Sequence, residues 1–225
     1  YGKLNIPAGR IHLSAELTIP AGAHSIIVFA EAGNGGFPDM RDTIVATYLL
    51  KAGFGVMVPQ LITDEEILEY REFDIRLLTE RLLSATSWLI RRDLFSHYRF
   101  GYFGATIGSA AALQAAAGLQ EYIGAIVCRG GRTDLAMEAI PEVQAPTLLI
   151  AGSMDRYIVQ LNRESLEAFS CEKELIIVQG AGHLFRNGMI EQVAGLAKIW
   201  FERYLKSPAA PAPDSPAPSN AGQAA

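Results

Sequence analysis

The chain contains 225 residues, of which 50% are hydrophobic and 19% are charged, so a sizeable core can form and disorder of the whole chain is excluded. Its formal charge of −5 at pH 7 argues against nucleic acid or an anionic membrane as the main partner. No apolar run approaches the roughly 18 residues that cross a bilayer. The first residues lack a signal-peptide pattern, although the missing initial Met allows for a leader that has been removed. We expect a cytoplasmic domain.

The first predicted element is an edge strand. Residues 10–19 alternate between apolar and polar side chains, which is typical of an antiparallel strand with one buried face. Later runs are apolar throughout, which indicates strands covered on both faces of a parallel sheet. These runs occupy residues 25–30, 55–58, 99–103, 123–128, 146–151 and 174–178.

Helical patterns separate these strands and end the folded part. Apolar stripes predict helices at about 72–92 and 189–205. The alternation of strands and helices predicts a three-layer α/β/α domain with a mostly parallel sheet and an antiparallel amino-terminal edge. Residues 207–225 hold five prolines, seven alanines and one charged residue, so we predict a folded domain at 1–206 and a disordered tail at 207–225.

A candidate nucleophile follows the strand at 99–103. Residues 104–108 place Thr106 between small residues where a strand turns into a helix, as in a nucleophile elbow. The Ile107 N–H at the helix start could then stabilise an oxyanion. Close packing of the helix on the strand would explain the same glycine spacing.

An acidic residue and a histidine follow the last two strands. Asp155 comes after the strand at 146–151, and His183 comes after the strand at 174–178. His183 would carry the nucleophile's proton to the leaving group, while Asp155 would orient the imidazole. Alternatively, Asp155 caps the next helix and His183 is an ordinary loop residue. The order of the three residues along the chain makes the catalytic interpretation specific.

With these motifs the chain resembles the dienelactone hydrolase-like family of the α/β-hydrolase superfamily, over most of residues 4–205. The similarity is carried by residues 101–108, 128–135, 145–152 with Asp155, and 182–185. It implies a cofactor-free hydrolase of small-molecule esters or lactones, with Thr106 at the nucleophile position, Asp155 as the acid and His183 as the base. Relatives usually have Ser or Cys at the elbow. Cys128 lies on another strand and cannot take that role.

The loop after residues 25–30 reads Glu31, Ala32, Gly33, where many relatives have His-Gly. Glutamate at this point resembles the dienelactone hydrolases proper, where it belongs to the site. Glu31 could tune the site's protonation, or it could pair with an arginine or face water. The backbone N–H of Ala32 or Gly33 could complete the oxyanion site, or these residues could form only a flexible turn.

Other residues fall near the predicted mouth of the site. At least one of Arg129 and Arg132 falls near the mouth and could hold a substrate carboxylate, although pairing of one of them with Asp134 or Asp155 is the simpler interpretation. Met154 and Tyr157 could line a pocket or could be ordinary packing residues.

The sequence therefore predicts a hydrolase acting on ester bonds, slowed by the β-branched Thr106. The alternative is a catalytically inactive α/β-hydrolase-fold protein that binds a partner. No metal site or nucleotide fingerprint is present in the sequence, and the oligomeric state stays open.

Overall fold

The computed structural model describes residues 2–31, 39–69 and 71–206. Its strands are β1 (Lys3–Ala8), β2 (Ile11–Thr18), β3 (Ser25–Ala30), β4 (Gly55–Pro59), β5 (Arg99–Ala105), β6 (Ile123–Arg129), β7 (Thr147–Gly152) and β8 (Lys173–Val178). They form one eight-stranded sheet in the order β1-β2-β4-β3-β5-β6-β7-β8, with β1 and β2 antiparallel and β3 to β8 parallel. The predicted class and the antiparallel amino-terminal edge are confirmed, but β2, the strand predicted at the edge, lies between β1 and β4.

Helices cover both faces of the sheet, as a parallel sheet requires. On one face lie α1 (Met40–Lys51) and α6 (Met189–Leu205), which pack against each other. On the other lie α3 (Ile75–Ile90), α4 (Ile107–Leu119) and α5 (Arg156–Ala168). The short helix α2 (Asp64–Leu68) follows the carboxyl end of β4. Among the described residues, no helix is long and apolar enough to cross a membrane.

The central strand β3 shows why the core forms here. All six of its residues are buried. Ile26 and Val28 face α3 and α4, while Ile27 and Phe29 face α1 and α6. Burying a side chain of this size contributes roughly 1.5–3 kcal/mol, so the centre of the sheet is a rigid platform. The carboxyl ends of the central strands are therefore held firmly for the loops that follow them.

The two predicted helices are found at 75–90 and 189–205, while β1 and α1 were not predicted. Strand β1 carries polar Lys3 and Asn5 on its exposed positions and contains Pro7, which argues against a strand in the sequence. Helix α1 buries few residues: Asp42, Val45 and Leu49. The predicted tail at 207–225 lies outside the described residues.

Candidate active site

The turn between β5 and α4 has the strained geometry of a nucleophile elbow. Thr106 is the N-cap of α4 with φ 49° and ψ −117°, a left-handed region that β-branched residues rarely adopt. Gly104 and Gly108 are required by close packing. A Cβ on Gly108 would lie 1.9 Å from the Ala30 carbonyl oxygen, and one on Gly104 would lie 2.7 Å from Ser109 Cα. The small residues therefore allow the tight turn that presents Thr106.

Backbone hydrogen bonds join this turn to the loop after β6. The Thr106 N–H donates to the Arg129 carbonyl at 3.1 Å, and the Thr106 carbonyl accepts from the Arg132 N–H at 3.0 Å. The Thr106 side chain makes no capping hydrogen bond with α4. Ile107 is the first residue of α4, where backbone N–H groups have no partner within the helix. The Thr106 hydroxyl and the N–H of Ile107 therefore lie together at the start of α4.

Asp155 and His183 are in direct contact. His183 Nδ1 lies 2.7 Å from Asp155 Oδ2. An ionised carboxylate can only accept, so Nδ1 is assigned the proton, which leaves Nε2 free as a base. The other Asp155 oxygen, Oδ1, accepts from the Ile158 N–H at 3.4 Å and caps α5. Asp155 therefore serves as helix cap and imidazole partner together, so the two interpretations of the sequence are compatible.

The loop of Gly130 and Gly131 borders both halves of this arrangement. A Cβ on Gly130, which has φ 55°, would lie 3.6 Å from His183 Nδ1 and Cε1. Arg129 and Arg132, which flank these two glycines, are both hydrogen-bonded to Thr106 through their backbones. Within the described chain, no hydrogen bond joins the Thr106 hydroxyl to His183. Catalytic hydrogen bonds are often long in a free enzyme and tighten when substrate binds.

A buried charge cluster lies beside the elbow. Glu31 follows β3, and its Oε1 accepts from the Asp39 N–H at 2.9 Å. Burial, with a smaller contribution from the charge of Asp42, raises the pKa of Glu31 from 4.5 to about 8. The Glu31 carboxyl is therefore mostly protonated at pH 7. Its neighbour Asp42 contacts Arg129 Nη2 at 2.9 Å, and both of these side chains are 2% exposed.

The two candidate arginines have different surroundings. Arg129 is buried and pairs with Asp42, a partner that the sequence analysis did not name. Asp42 lies 87 residues from Arg129 along the chain, so no local pattern in the sequence points to this pair. Arg132 forms two bonds of 2.9 Å with Asp134, which agrees with the structural interpretation.

The remaining candidates lie at the rim or outside the described residues. Met154 and Tyr157 flank Asp155 and are 71% and 63% exposed. Ala32 and Gly33 are not among the described residues. The close approach of Gly108 to Ala30 and to the Glu31 nitrogen places the end of β3 beside α4. Cys128 is buried on β6, and burial raises its pKa to about 12, which leaves its thiol inert. The described residues contain no group of His, Cys, Asp and Glu side chains suited to a metal.

The sheet order, the elbow after β5 and the Asp-His contact after β7 and β8 define an α/β-hydrolase fold. The chain belongs to the dienelactone hydrolase family, whose model matches residues 13–198. Its structure is similar to that of a dienelactone hydrolase from Anabaena variabilis, with 40% identity and a TM-score of 0.85 over 91% of this chain and 97% of that one.

More distant structures share the fold alone. Carboxyl esterase 2 from Tuber melanosporum is 14% identical, with a TM-score of 0.72 over 90% of this chain and 86% of that one. A serine hydrolase without a lid from Xanthomonas campestris is 16% identical, also with a TM-score of 0.72, over 92% and 95%.

Two curated relatives from Mycobacterium tuberculosis carry the name phosphoribosyl transferase. Each is 38% identical over 208 residues, which is 92% of this chain and 47% of the relative. The chain therefore spans about half the length of the curated relatives it matches.

Proposed function

We propose that this domain hydrolyses a small-molecule carboxylic ester or lactone without a cofactor, using Thr106, His183 and Asp155. The observation that carries the proposal is the 2.7 Å contact between Asp155 and His183, beside a loop that is hydrogen-bonded to Thr106. The dienelactone hydrolase family and the 40% identical dienelactone hydrolase support the reaction class.

The reaction proceeds by nucleophilic catalysis. The Thr106 hydroxyl oxygen attacks the carbonyl carbon while His183 Nε2 accepts its proton. The negative oxygen of the tetrahedral intermediate accepts hydrogen bonds from the Ile107 N–H and from an N–H of Ala32 or Gly33. Collapse of the intermediate breaks the ester C–O bond, and the leaving oxygen takes the proton from His183. Water, activated by His183, then releases the acyl group from Thr106.

Residues around the three reacting side chains have supporting roles in the proposal. Glu31 is a neutral acid beside the elbow at pH 7 and would limit the negative charge there. Substrate would enter past the exposed Met154 and Tyr157. Arg132, whose side chain is 36% exposed, keeps Asp134 as its partner and could touch a polar substrate group only at the rim.

A binding protein without catalysis is the second candidate, and one observation favours it. Thr106 is β-branched at φ 49°, a conformation that costs about 1–3 kcal/mol and brings an extra methyl group near the attacking oxygen. The name phosphoribosyl transferase is not carried over to this chain, because it belongs to proteins of which the chain matches 47%.

Hydrolysis of short-chain p-nitrophenyl esters separates the two candidates. We expect the wild-type chain to exceed Thr106→Ala and His183→Ala by at least about 100-fold in kcat/KM, since each variant removes a reacting group. A fluorophosphonate should add covalently to Thr106, seen as an increase in intact mass that maps to this residue. Equal rates for all three chains, with no adduct, would refute the catalytic proposal and leave the binding protein.

A further inference from the structure

Helix α5 presents a buried polar side chain to the loop that borders the candidate active site. Asn162 is 0% exposed, lies on the helix that Asp155 caps, and comes four residues after Ile158 on the same face. A fully buried amide is costly unless its hydrogen-bonding groups are used. Its Nδ2 is hydrogen-bonded and its Oδ1 has no partner among the described residues, so the contacts of Nδ2 indicate why Asn162 is there. Its position is one that the sequence analysis did not single out.

The side-chain amide of Asn162 is hydrogen-bonded to the backbone of the loop that contains Gly130 and Gly131. Nδ2 donates to the Gly131 carbonyl at 2.8 Å and to the Ile158 carbonyl at 2.9 Å, so both of its hydrogens are engaged. Gly131 has no room for a side chain, because a Cβ there would lie 2.6 Å from Ser109 Oγ. The main chain of this loop therefore packs against Ser109 of α4 on one side and is hydrogen-bonded to Asn162 of α5 on the other.

We propose that Asn162 is a positioning residue for the hydrolysis proposed above, on which this inference rests. Its hydrogen bond fixes Gly131, whose neighbour Gly130 lies against the His183 ring. The neighbour on the other side, Arg132, donates its N–H to the Thr106 carbonyl. Through Asn162, one helix sets the positions of the base and the nucleophile, while its own N-cap, Asp155, orients the base.

A purely structural role predicts a different outcome. If Asn162 served only to stabilise α5 through the Ile158 carbonyl, its loss would lower stability and leave the reaction rate intact. If it positions the loop, its loss lets Gly130 and Arg132 shift, and the distance between Thr106 and His183 changes with them. A misplacement of about 1 Å between reacting groups can cost on the order of 100-fold in rate.

The test compares Asn162→Leu, which keeps the size and removes the donors, with Ser25→Ala. Ser25 is a matched control: it is buried and donates to a backbone carbonyl, that of Leu205, at 2.7 Å, but at the start of β3, away from the site. We expect Asn162→Leu to lower kcat by about 10- to 100-fold with KM changed by less than about twofold. Ser25→Ala should lower Tm and retain the wild-type kcat. Asn162→Ala, which also lacks the amide donors and brings no charge into this buried position, provides a second variant should Asn162→Leu fail to fold.

A measurement without turnover separates this inference from the proposed function. The chain has four histidines, so the ring C–H resonances of His183 can be assigned by comparison with His183→Ala in NMR spectra. We expect these resonances to move in Asn162→Leu and to stay in place in Ser25→Ala. Unchanged resonances together with a wild-type kcat would overturn the positioning role. If the wild-type chain hydrolyses no ester, the proposed function fails, and the resonances still decide whether Asn162 places His183.

Discussion

At the scale of single residues, Thr106 shows how the fold imposes a conformation that the side chain disfavours. The turn is held by two backbone hydrogen bonds, from the Thr106 N–H to the Arg129 carbonyl and from the Arg132 N–H to the Thr106 carbonyl, and by the packing of Gly108 on Ala30. Together these contacts outweigh a conformational cost of about 1–3 kcal/mol at φ 49°. Because these contacts are made by backbone atoms, we expect the turn to persist when Thr106 is replaced by serine.

Replacing Thr106 by Ser should raise activity. Serine keeps the hydroxyl and loses the methyl group that restricts the side chain and crowds the approach of a carbonyl carbon. Relief of about 1.4 kcal/mol in the transition state would give about a tenfold increase in kcat/KM for p-nitrophenyl esters. The rate of fluorophosphonate labelling should increase with it. A decrease in both rates would show that the site is built around the threonine methyl group and that the strain argument is wrong.

At the scale of elements, strands were easier to predict than the contacts between them. Strand β3 and its parallel neighbours appear as continuous apolar runs, and parallel sheets bring their carboxyl ends to one edge. The sequence therefore predicts that Thr106, Asp155 and His183 lie at the same edge, and the structure brings Asp155 and His183 into contact. The pairing of Arg129 with Asp42 spans 87 residues and leaves no local pattern. The role of Asn162 could not be predicted either, because a single amide in an amphipathic helix forms no recognisable pattern unless its partner, Gly131, is known.

The short helix α2 depends on a single buried arginine for its position. Glu66 completes a capping box with Thr63, and its carboxylate also accepts from Arg81 on α3 at 2.5 Å. Arg81 is 6% exposed and donates to the Leu61 carbonyl at 2.6 Å as well. Hydrogen bonds from Arg81 are the main cause that lowers the pKa of Glu66 to about 2. The amino-terminal end of α2 is therefore attached to α3 through the contact between Glu66 and Arg81.

Arg81→Met should loosen α2. We expect a loss of about 1–2 kcal/mol in the free energy of unfolding at pH 7, and faster cleavage after Glu65 or Glu69 by a glutamate-specific protease. The folded-state pKa of Glu66 is depressed, so its contribution is present above pH 4.5 and is lost as the pH falls toward 2. The difference between wild type and variant should shrink over that interval. Arg76→Met removes an exposed pair with Glu80 and serves as the control. Equal cleavage rates in both variants would contradict this role of Arg81.

At the scale of the whole molecule, one buried cluster connects three parts of the fold. Glu31 follows β3, Asp42 lies in the first turn of α1, and Arg129 ends β6. Asp42 holds the charge that neutralises Arg129 at 2.9 Å, and Glu31 keeps its proton. The charged groups around Glu31 come from α1 and its N-cap, namely Asp39, Arg41 and Asp42, and from β6, namely Arg129. Folding therefore retains a proton that the unfolded chain releases near pH 4.5.

This retained proton makes the stability of the whole domain depend on pH. The pKa of Glu31 is raised on folding, so its contribution is fully present below pH 4.5 and is lost as the pH rises through about 8. Glu31→Gln keeps a neutral side chain at every pH and removes this dependence. We therefore expect the free energy of unfolding of Glu31→Gln, relative to that of wild type, to increase by a few kcal/mol between pH 5 and pH 9. Each pKa unit corresponds to about 1.4 kcal/mol.

Urea unfolding of both chains at intervals of pH measures that difference directly, and the titration of groups that do not interact with Glu31 cancels in the comparison. Glu16→Gln, on the exposed face of β2, supplies a control whose difference from wild type should stay small at every pH. The difference in free energy of unfolding should stop increasing at the pH where Glu31 of the wild type has become fully ionised. Because Glu31 lies beside the elbow, this is also the pH at which the elbow gains a neighbouring negative charge. A difference between Glu31→Gln and wild type that does not vary from pH 5 to pH 9 would show that Glu31 is already ionised in the folded protein.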